Sequence, residues 1–410
     1  MNKILPVLFT LSLMLASQFC GAQTAYIPNE GDNTVSVINV ATNTVIDTIA
    51  VGRNPYAVSV SADGSKVYVT NLRDGTVSVI NTATNTVSAT IFVGVNPFGI
   101  SVSPDGNKLY VSNGDVNTVS VINIATDTVS ATFRYNGMPE GVFVSPDGSR
   151  VYVAIEGDYS VSVINTEADT VSATITVGFS PIGISGSPDG SKVYVANDGD
   201  TTVSVINTAT NTVSSTIFVG AYPLGISVSP DGSKVYVTKS DTNTVSVINT
   251  AADIVSAIIT VGHGPFGISV SPDGTKVYVV NEIDSTVSVI NTATNSVTDT
   301  IKVGNGPRAF GNFISTHKAV GIPTYSIDAA SISLYPNPAG NQLTIHASSF
   351  HNEAVMVSVV NVMGQEALSY SLSFGEGRGE ALDISGLAAG MYFVEMKWEG
   401  GSVVRRFVKE

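Results

Sequence analysis

Residues 99–134 read GISVSPDGNKLYVSNGDVNTVSVINIATDTVSATFR. Turn signals divide this stretch into four short runs rich in Val, Ile, Ser and Thr, beginning at Gly99, Leu109, Thr118 and Thr128. These are strand residues at strand lengths. Pro104-Asp105-Gly106 suits a tight hairpin, because proline presets φ, aspartate caps the turn and glycine takes positive φ. The tetrapeptide S-P-D-G, or S-A-D-G in its first copy, starts at Ser61, Ser103, Ser145, Ser187, Ser229 and Ser271, always 42 residues apart. A constant period in this range means stacked supersecondary units. Four antiparallel strands in 42 residues make a propeller blade.

Counting strands by type gives the number of blades. The strand centred on Tyr26, Tyr68, Tyr110, Tyr152, Tyr194, Tyr236 and Tyr278 occurs seven times, as does the S-V-I-N strand from Ser36 to Ser288. The G-I-S-V-S strand occurs six times, and 309–315 is a degenerate seventh copy. The expectation is an all-β, seven-bladed propeller over 23–315, in which 309–315 pairs with 24–30 and joins the ends of the ring, removing its open edges. Within Thr118–Ile122, valines alternate with Ser120 and Ile122 rather than with charged residues. Both faces of each sheet are therefore expected to be buried between neighbouring blades.

Composition agrees. The 410 residues are 43% hydrophobic and 13% charged, which excludes an acidic disordered chain. Nineteen basic against 33 acidic residues give a net charge of -14. With no basic stripe, nucleic acid is not an expected partner. Lys3, the apolar run from Ile4 to Ala16 and the small residues around Ala22 read as a signal peptide over 1–22. Cleavage there removes the one cysteine, Cys20, so the mature chain is expected to rely on burial rather than disulfides. No later run of 18 apolar residues exists to span a membrane. The mature chain reads as an exported, soluble monomer.

Val67-Tyr68-Val69-Thr70-Asn71 and its near copies at 193–197 and 277–281 resemble the Y-V-T-N family of β-propeller repeats. The resemblance covers about 24–315 and implies a fold far more than a function. Beyond a polar linker at 316–330, residues 331–410 change character, with short alternating strands that read as a small Ig-like β-sandwich. This segment resembles the type IX secretion sorting domain (type A). The matching pieces are Tyr335-Pro336-Asn337-Pro338, Asn361-Val362-Met363-Gly364-Gln365, the run from Leu387 through Gly390 to Tyr392, and the basic end at Arg405 and Arg406. The resemblance implies the type IX secretion machinery as partner, transport across the outer membrane, and release or anchoring at the cell surface.

Candidate site residues emerge where the copies disagree. The position after each inter-blade proline holds Tyr56, Phe98, Glu140, Ile182, Leu224, Phe266 and Arg308. At a channel mouth these form an aromatic and aliphatic floor with two opposite charges, suited to a glycan or protein ligand. A second ring carries Glu30, Asp32, Asp74, Asp115, Glu156, Asp158, Asp198, Asp200, Asp241, Glu282 and Asp284. Carboxylates there could hold Ca²⁺, with Asp198 and Asp200 the densest spot, although aspartate before Gly or Thr commonly makes a local turn. An alternative is a channel-mouth hydrolase or lyase of the propeller lactonase type, with His263, Glu140 and Arg308 as its set. Against it, His263 sits at a tolerant position occupied elsewhere by Arg53, Val95, Gly137, Phe179, Ala221 and Asn305, and no nucleophile elbow, phosphate loop or His-x-x-x-His pair is present. The reading favoured is a binding scaffold, not an enzyme, with no required cofactor.

Overall fold

In a computed structural model of the chain, the structure describes residues 23–315, 332–347, 354–361, 366–373, 380–398 and 401–410. The segments read above as a signal peptide (1–22) and a linker (316–330), and the 362–365 part of one sorting motif, lie outside the described residues. The chain divides into two compact units, Met1–Val320 and Gly321–Glu410.

The first unit contains seven antiparallel sheets in chain order. The second sheet shows the pattern: an inner strand Pro55–Val60, then Lys66–Asn71, Thr76–Asn81 and an outer strand Thr86–Phe92. Five more four-stranded sheets repeat it, the last being Pro265–Val270, Lys276–Asn281, Thr286–Asn291 and Ser296–Lys302. The first sheet has three strands, Thr24–Asn29, Thr34–Asn39 and Thr44–Ala50. Residues 307–315 lie along its inner side, where Tyr26 N donates to Phe313 O at 2.9 Å and Ser315 N to Thr24 O at 2.9 Å. Ala309 (φ 46°) and Gly311 (φ 104°) bend this segment, so the pairing is reduced to isolated bridges such as Ala25 with Ile314. The seventh sheet is tied to the first through Lys276 Nζ and Tyr278 Oη, which donate to Val40 O at 2.8 and 3.0 Å.

Each recurring residue has a local task. The seven tyrosines of the second strands are fully buried between sheets. The asparagine ending that strand donates from Nδ2 to two hydroxyls of the next strand, as Asn71 does to Thr76 and Ser78 at 3.0 and 2.9 Å. In the S-P-D-G turns, Ser229 Oγ donates to Asp231 at 2.5 Å and accepts from Lys234 N at 2.9 Å, and Gly232 takes φ 70°. The hydroxyl donated by the turn serine, followed by the backbone N–H two residues on, holds Asp147, Asp189 and Asp231 down at about 2.

The second unit packs a three-stranded sheet (Ile332–Tyr335, Gln342–Ala347, Glu380–Asp383) with a four-stranded one (Ala354–Asn361, Glu366–Ser373, Gly390–Trp398, Gly401–Lys409). Leu343, Ile345, Val357, Val359, Val394, Met396 and Phe407 share its core. This is the Ig-like sandwich expected from the alternating strands.

Candidate functional site

Every inner strand that opens with proline carries a β-bulge at once. Pro55 pairs with Asn71 and Val58 with Val69, so Tyr56 and Ala57 together oppose Thr70. The same irregularity follows Pro97, Pro139, Pro181, Pro223 and Pro265. A bulge re-aims a side chain, and here it brings the residues after the prolines together. Hydroxyls support the turn in three blades: Thr70, Ser112 and Thr238 accept from the N–H of Ala57, Gly99 and Gly225 at 2.9, 2.8 and 2.8 Å. Thr70 and Thr238 also donate to the carbonyls of Phe98 and Phe266 in the following blade.

The expected floor is a packed plug. Tyr56, Phe266 and Phe310 are buried in one cluster with Phe98, Ile182 and Leu224 against them. The Tyr56 ring meets Phe98 and Phe266 edge-on, at centroid distances of 5.2 and 5.5 Å. The Arg308 guanidinium stands 5.4 and 4.9 Å from the Tyr56 and Phe266 ring centroids. It is ion-paired through Nε to Glu30 and through Nη2 to Glu282 at 2.8 Å. Cation–π and ion-pair contacts together fix it.

Beyond the plug, the inner strands approach too closely to leave a ligand channel. A Cβ at Gly183 would stand 2.0 Å from Leu224 O, and one at Gly225 2.2 Å from Phe266 O. The remaining central cavity is about 20 Å³, room for a single water. A ligand at this end meets the rim from outside.

Of the three groups of the hydrolase alternative, Glu140 and Arg308 both act on the buried Tyr56, and His263 is engaged with Asp284. His263 is exposed and pairs through Nδ1 with Asp284 at 2.9 Å. Arg308 is held by Glu30 and Glu282. Glu140 is 6% exposed, and burial, with the Glu156 charge beside it, pushes its carboxyl up to about 8.

Much of the carboxylate ring supports loops. Asp32, Asp74, Asp200 and Asp284 each accept the backbone N–H of a residue in the adjoining inter-blade loop, from Asn305, Arg53, Phe179 and His263 at 2.6–2.7 Å. Those bonds hold Asp32, Asp74 and Asp284 below the usual carboxylate range. Asp198 behaves differently: burial, then the charges of Glu156 and Asp241, push it up. Asp198 and Asp200 thus serve different neighbours. Among the described residues no group of three or more His, Cys, Asp or Glu is placed to hold a metal ion.

Several residues of the mouth were not singled out by sequence. Phe310 lies in the degenerate inner strand. Lys239 replaces the strand-ending asparagine and is 5% exposed, with burial pulling its amine down. Tyr159 and Phe179 form an exposed ring pair at 4.5 Å. The signal for Lys239 was present as the one lysine in the Y-V-T-N column.

In the second unit, the sorting motifs meet around the last strand. Asn337 Oδ1 accepts from Val408 N at 3.0 Å, and Ala339 N donates to Val408 O at 2.7 Å. Tyr335-Pro336 and Asn337-Pro338 are both cis, and Tyr335 is half exposed. Tyr392, following Gly390 and Met391, stacks on Phe407 at 5.7 Å and donates to Ala388 O. Arg405 and Arg406 pair in register with Val394 and Phe393.

Comparison with known proteins agrees with both units. Residues 333–410 match the secretion system C-terminal sorting domain, and residues 2–112 match the YNCE-like β-propeller. No curated protein matches the chain significantly. Among solved structures, hydrazine synthase of Kuenenia stuttgartiensis is similar at 24% identity and TM-score 0.60, over 66% of this chain and 92% of that one. A functionally unknown protein from Desulfotomaculum acetoxidans DSM 771 is similar at 19% identity and TM-score 0.62, over 71% and 100%. These likenesses show the fold. The chain is a β-propeller with a type IX sorting domain, exported to the cell surface or the extracellular space. Among the described residues no helix is long and apolar enough to cross a membrane.

Proposed function

We propose that the propeller acts by binding, as a rigid surface-displayed disc whose mouth rim contacts a glycan or protein. One observation carries the reading. The large apolar side chains exposed in the propeller's loops, Val95, Val116, Tyr159, Phe179, Tyr222 and Ile283, all lie in the loops of the mouth end. None lies in the S-P-D-G or N-T-A-T-N turns of the opposite rim. Exposed aromatics beside carboxylates on a rigid scaffold are the make-up of a recognition surface. Of the acid–base candidates, His263 is engaged with Asp284 and Arg308 with Glu30 and Glu282, so neither stands free to work with Glu140.

The test places the full secreted chain on glycan and peptide arrays beside a Phe179→Ser/Tyr222→Ser/Ile283→Ser variant. Selective binding that this variant loses supports the reading. Binding that the variant retains, or turnover of a lactone abolished by His263→Ala, contradicts it. For delivery, deletion of 331–410 is expected to leave the propeller in the periplasm, detected by fractionation; normal surface display of the truncated chain would refute that role.

A further inference from the structure

The mouth contains two equivalent pairs of carboxylates, and only one pair holds a cation. Glu282 of the seventh blade and Glu30 of the first flank Arg308 and bind its guanidinium from both sides. Glu30 and Glu282 belong to one column of the repeat, and in that column Glu156 of the fourth blade and Asp198 of the fifth are the other acidic residues on neighbouring blades. Their loop context matches: Asn54 Nδ2 donates to Glu30 Oε1 at 2.9 Å, and Ser180 Oγ, in the equivalent loop position, donates to Glu156 Oε1 at 3.3 Å. The column occupied by Arg308 holds Ile182 between Glu156 and Asp198.

The second pair shows an unmet demand for positive charge. Asp198 Oδ1 is buried and accepts no hydrogen bond. Glu140, on the inner strand of the fourth blade, is 94% removed from solvent; its backbone carbonyl accepts from Ser112, while no hydrogen bond or ion pair holds its carboxyl, which feels the charge of Glu156. Asp241 adds a fourth carboxylate that Asp198 senses. Lys239 of the sixth blade pairs with none of them, and its amine responds to burial alone. Buried carboxylates without partners are costly. The columns that carry Phe266 and Tyr56 beside Arg308 hold Glu140 and Leu224 at the second pair, so a third carboxylate takes the column of one of the two rings.

We propose that the notch between the fourth and fifth blades, formed by Glu140, Glu156 and Asp198, binds the guanidinium of an arginine side chain presented by a peptide or protein ligand. The assignment rests on the mouth being the binding face and names the chemistry it takes there. Arg308 is the template within the same molecule: a planar fork that reaches two carboxylates from adjacent blades while lying on aromatic rings. A bare metal ion fits less well, since the carboxylates of the described residues do not converge closely enough to ligate one.

The test titrates agmatine and an end-blocked Gly-Arg-Gly peptide into the full secreted chain by calorimetry at pH 8, with the citrulline peptide as neutral control. The arginine probes are expected to bind at least about tenfold more tightly than the citrulline peptide. Ile182→Arg, which supplies the cation internally as the first blade does, should abolish binding. Glu156→Gln should weaken it about tenfold and serves as the readout if Ile182→Arg lowers the melting temperature strongly. Absent binding, equal affinity for the arginine and citrulline peptides, or affinity unchanged in Glu156→Gln overturns the assignment. A ligand from the arrays that is lost in the Phe179/Tyr222/Ile283 variant while arginine probes fail to bind sinks the cation site and keeps the mouth reading. Retention of that ligand by the same variant sinks the mouth reading itself.

Discussion

The two ends of the propeller use the same repeat in opposite ways. At one rim, all six S-P-D-G or S-A-D-G turns spend their polar side chains on themselves: serine on aspartate, aspartate on the next two residues, glycine in positive φ. At the other rim, the residue after each inter-blade proline differs in nearly every blade, and what surrounds it is a mixture of packed rings, one satisfied cation and the unpartnered carboxyl oxygens of Glu140 and Asp198. A side chain committed to its own turn is under the same constraint in every copy. A side chain that faces the axis or the solvent meets a different neighbour in each blade, so the copies are free to diverge there. Uniformity marks the end that holds the fold, and the proposed recognition falls at the end that varies.

The sharpest way to break the comparison is to damage the wall from which both rims hang. Gly225→Ala forces a Cβ within 2.2 Å of Phe266 O. It should cost about 3 kcal/mol or more, or prevent folding, measured by chemical denaturation. Gly106→Ala, at a turn with nothing within 4 Å of the added Cβ but φ 72°, should cost only about 1 kcal/mol. Equal costs at the two glycines would contradict the close packing of inner strands.

The rims should also titrate with opposite sign. Glu140 is raised in the folded chain to about 8, so its protonated form is favoured by folding. Stability from this group is present at low pH and is lost as pH rises from the ordinary glutamate range through about 8. Glu140→Gln removes that loss and should stabilise the chain at pH 9 by about 2–4 kcal/mol relative to pH 5. Asp231, held down at about 2, contributes stability that is present above the ordinary aspartate range and disappears as pH falls towards 2. Melting-temperature profiles of Glu140→Gln and Asp231→Asn across pH, each against the unaltered chain, read the two signs directly; the same sign for both would be a contradiction.

Smaller effects sharpen the contrast further. Ser229→Ala removes one bond to Asp231 and one from Lys234 N, and should cost about 1 kcal/mol. Ser103→Ala and Ser187→Ala should cost the same, because their turns make the same bonds. His263→Ala, at the exposed mouth, should change stability by less than about 0.5 kcal/mol, despite the bond to Asp284. A loss at His263 larger than at the serines would reverse the assignment of roles.

The period, the strand count and the convergence of the post-proline positions were legible in the sequence because each is a one-dimensional pattern. The bulge behind each proline was not, since one extra residue in a strand leaves no trace where both faces are buried. It is the bulge that converts Tyr56, Phe98 and Phe266 from a lined pocket into a packed plug. The role of Asp32, Asp74, Asp200 and Asp284 was hidden for a related reason: each accepts a backbone N–H from the inter-blade loop that precedes the inner strand beside it, 21 residues earlier in the chain for three of them and 273 later for Asp32. Aspartates read in their own loops look like metal ligands or local turns. Lys239 and the pairing of Glu156 with Asp198 were available by aligning the copies, but their meaning depended on seeing Arg308 seated between Glu30 and Glu282.

The most direct measurement is a calorimetric titration of the best ligand from the arrays into three versions of the full secreted chain. One is unaltered, one carries Phe179→Ser, Tyr222→Ser and Ile283→Ser at the mouth, and one carries Thr84→Ala, Thr126→Ala and Thr210→Ala at the opposite rim. The account predicts affinity at least about tenfold weaker for the mouth variant and unchanged for the other. Affinity unchanged at the mouth but lost at the opposite rim would contradict it.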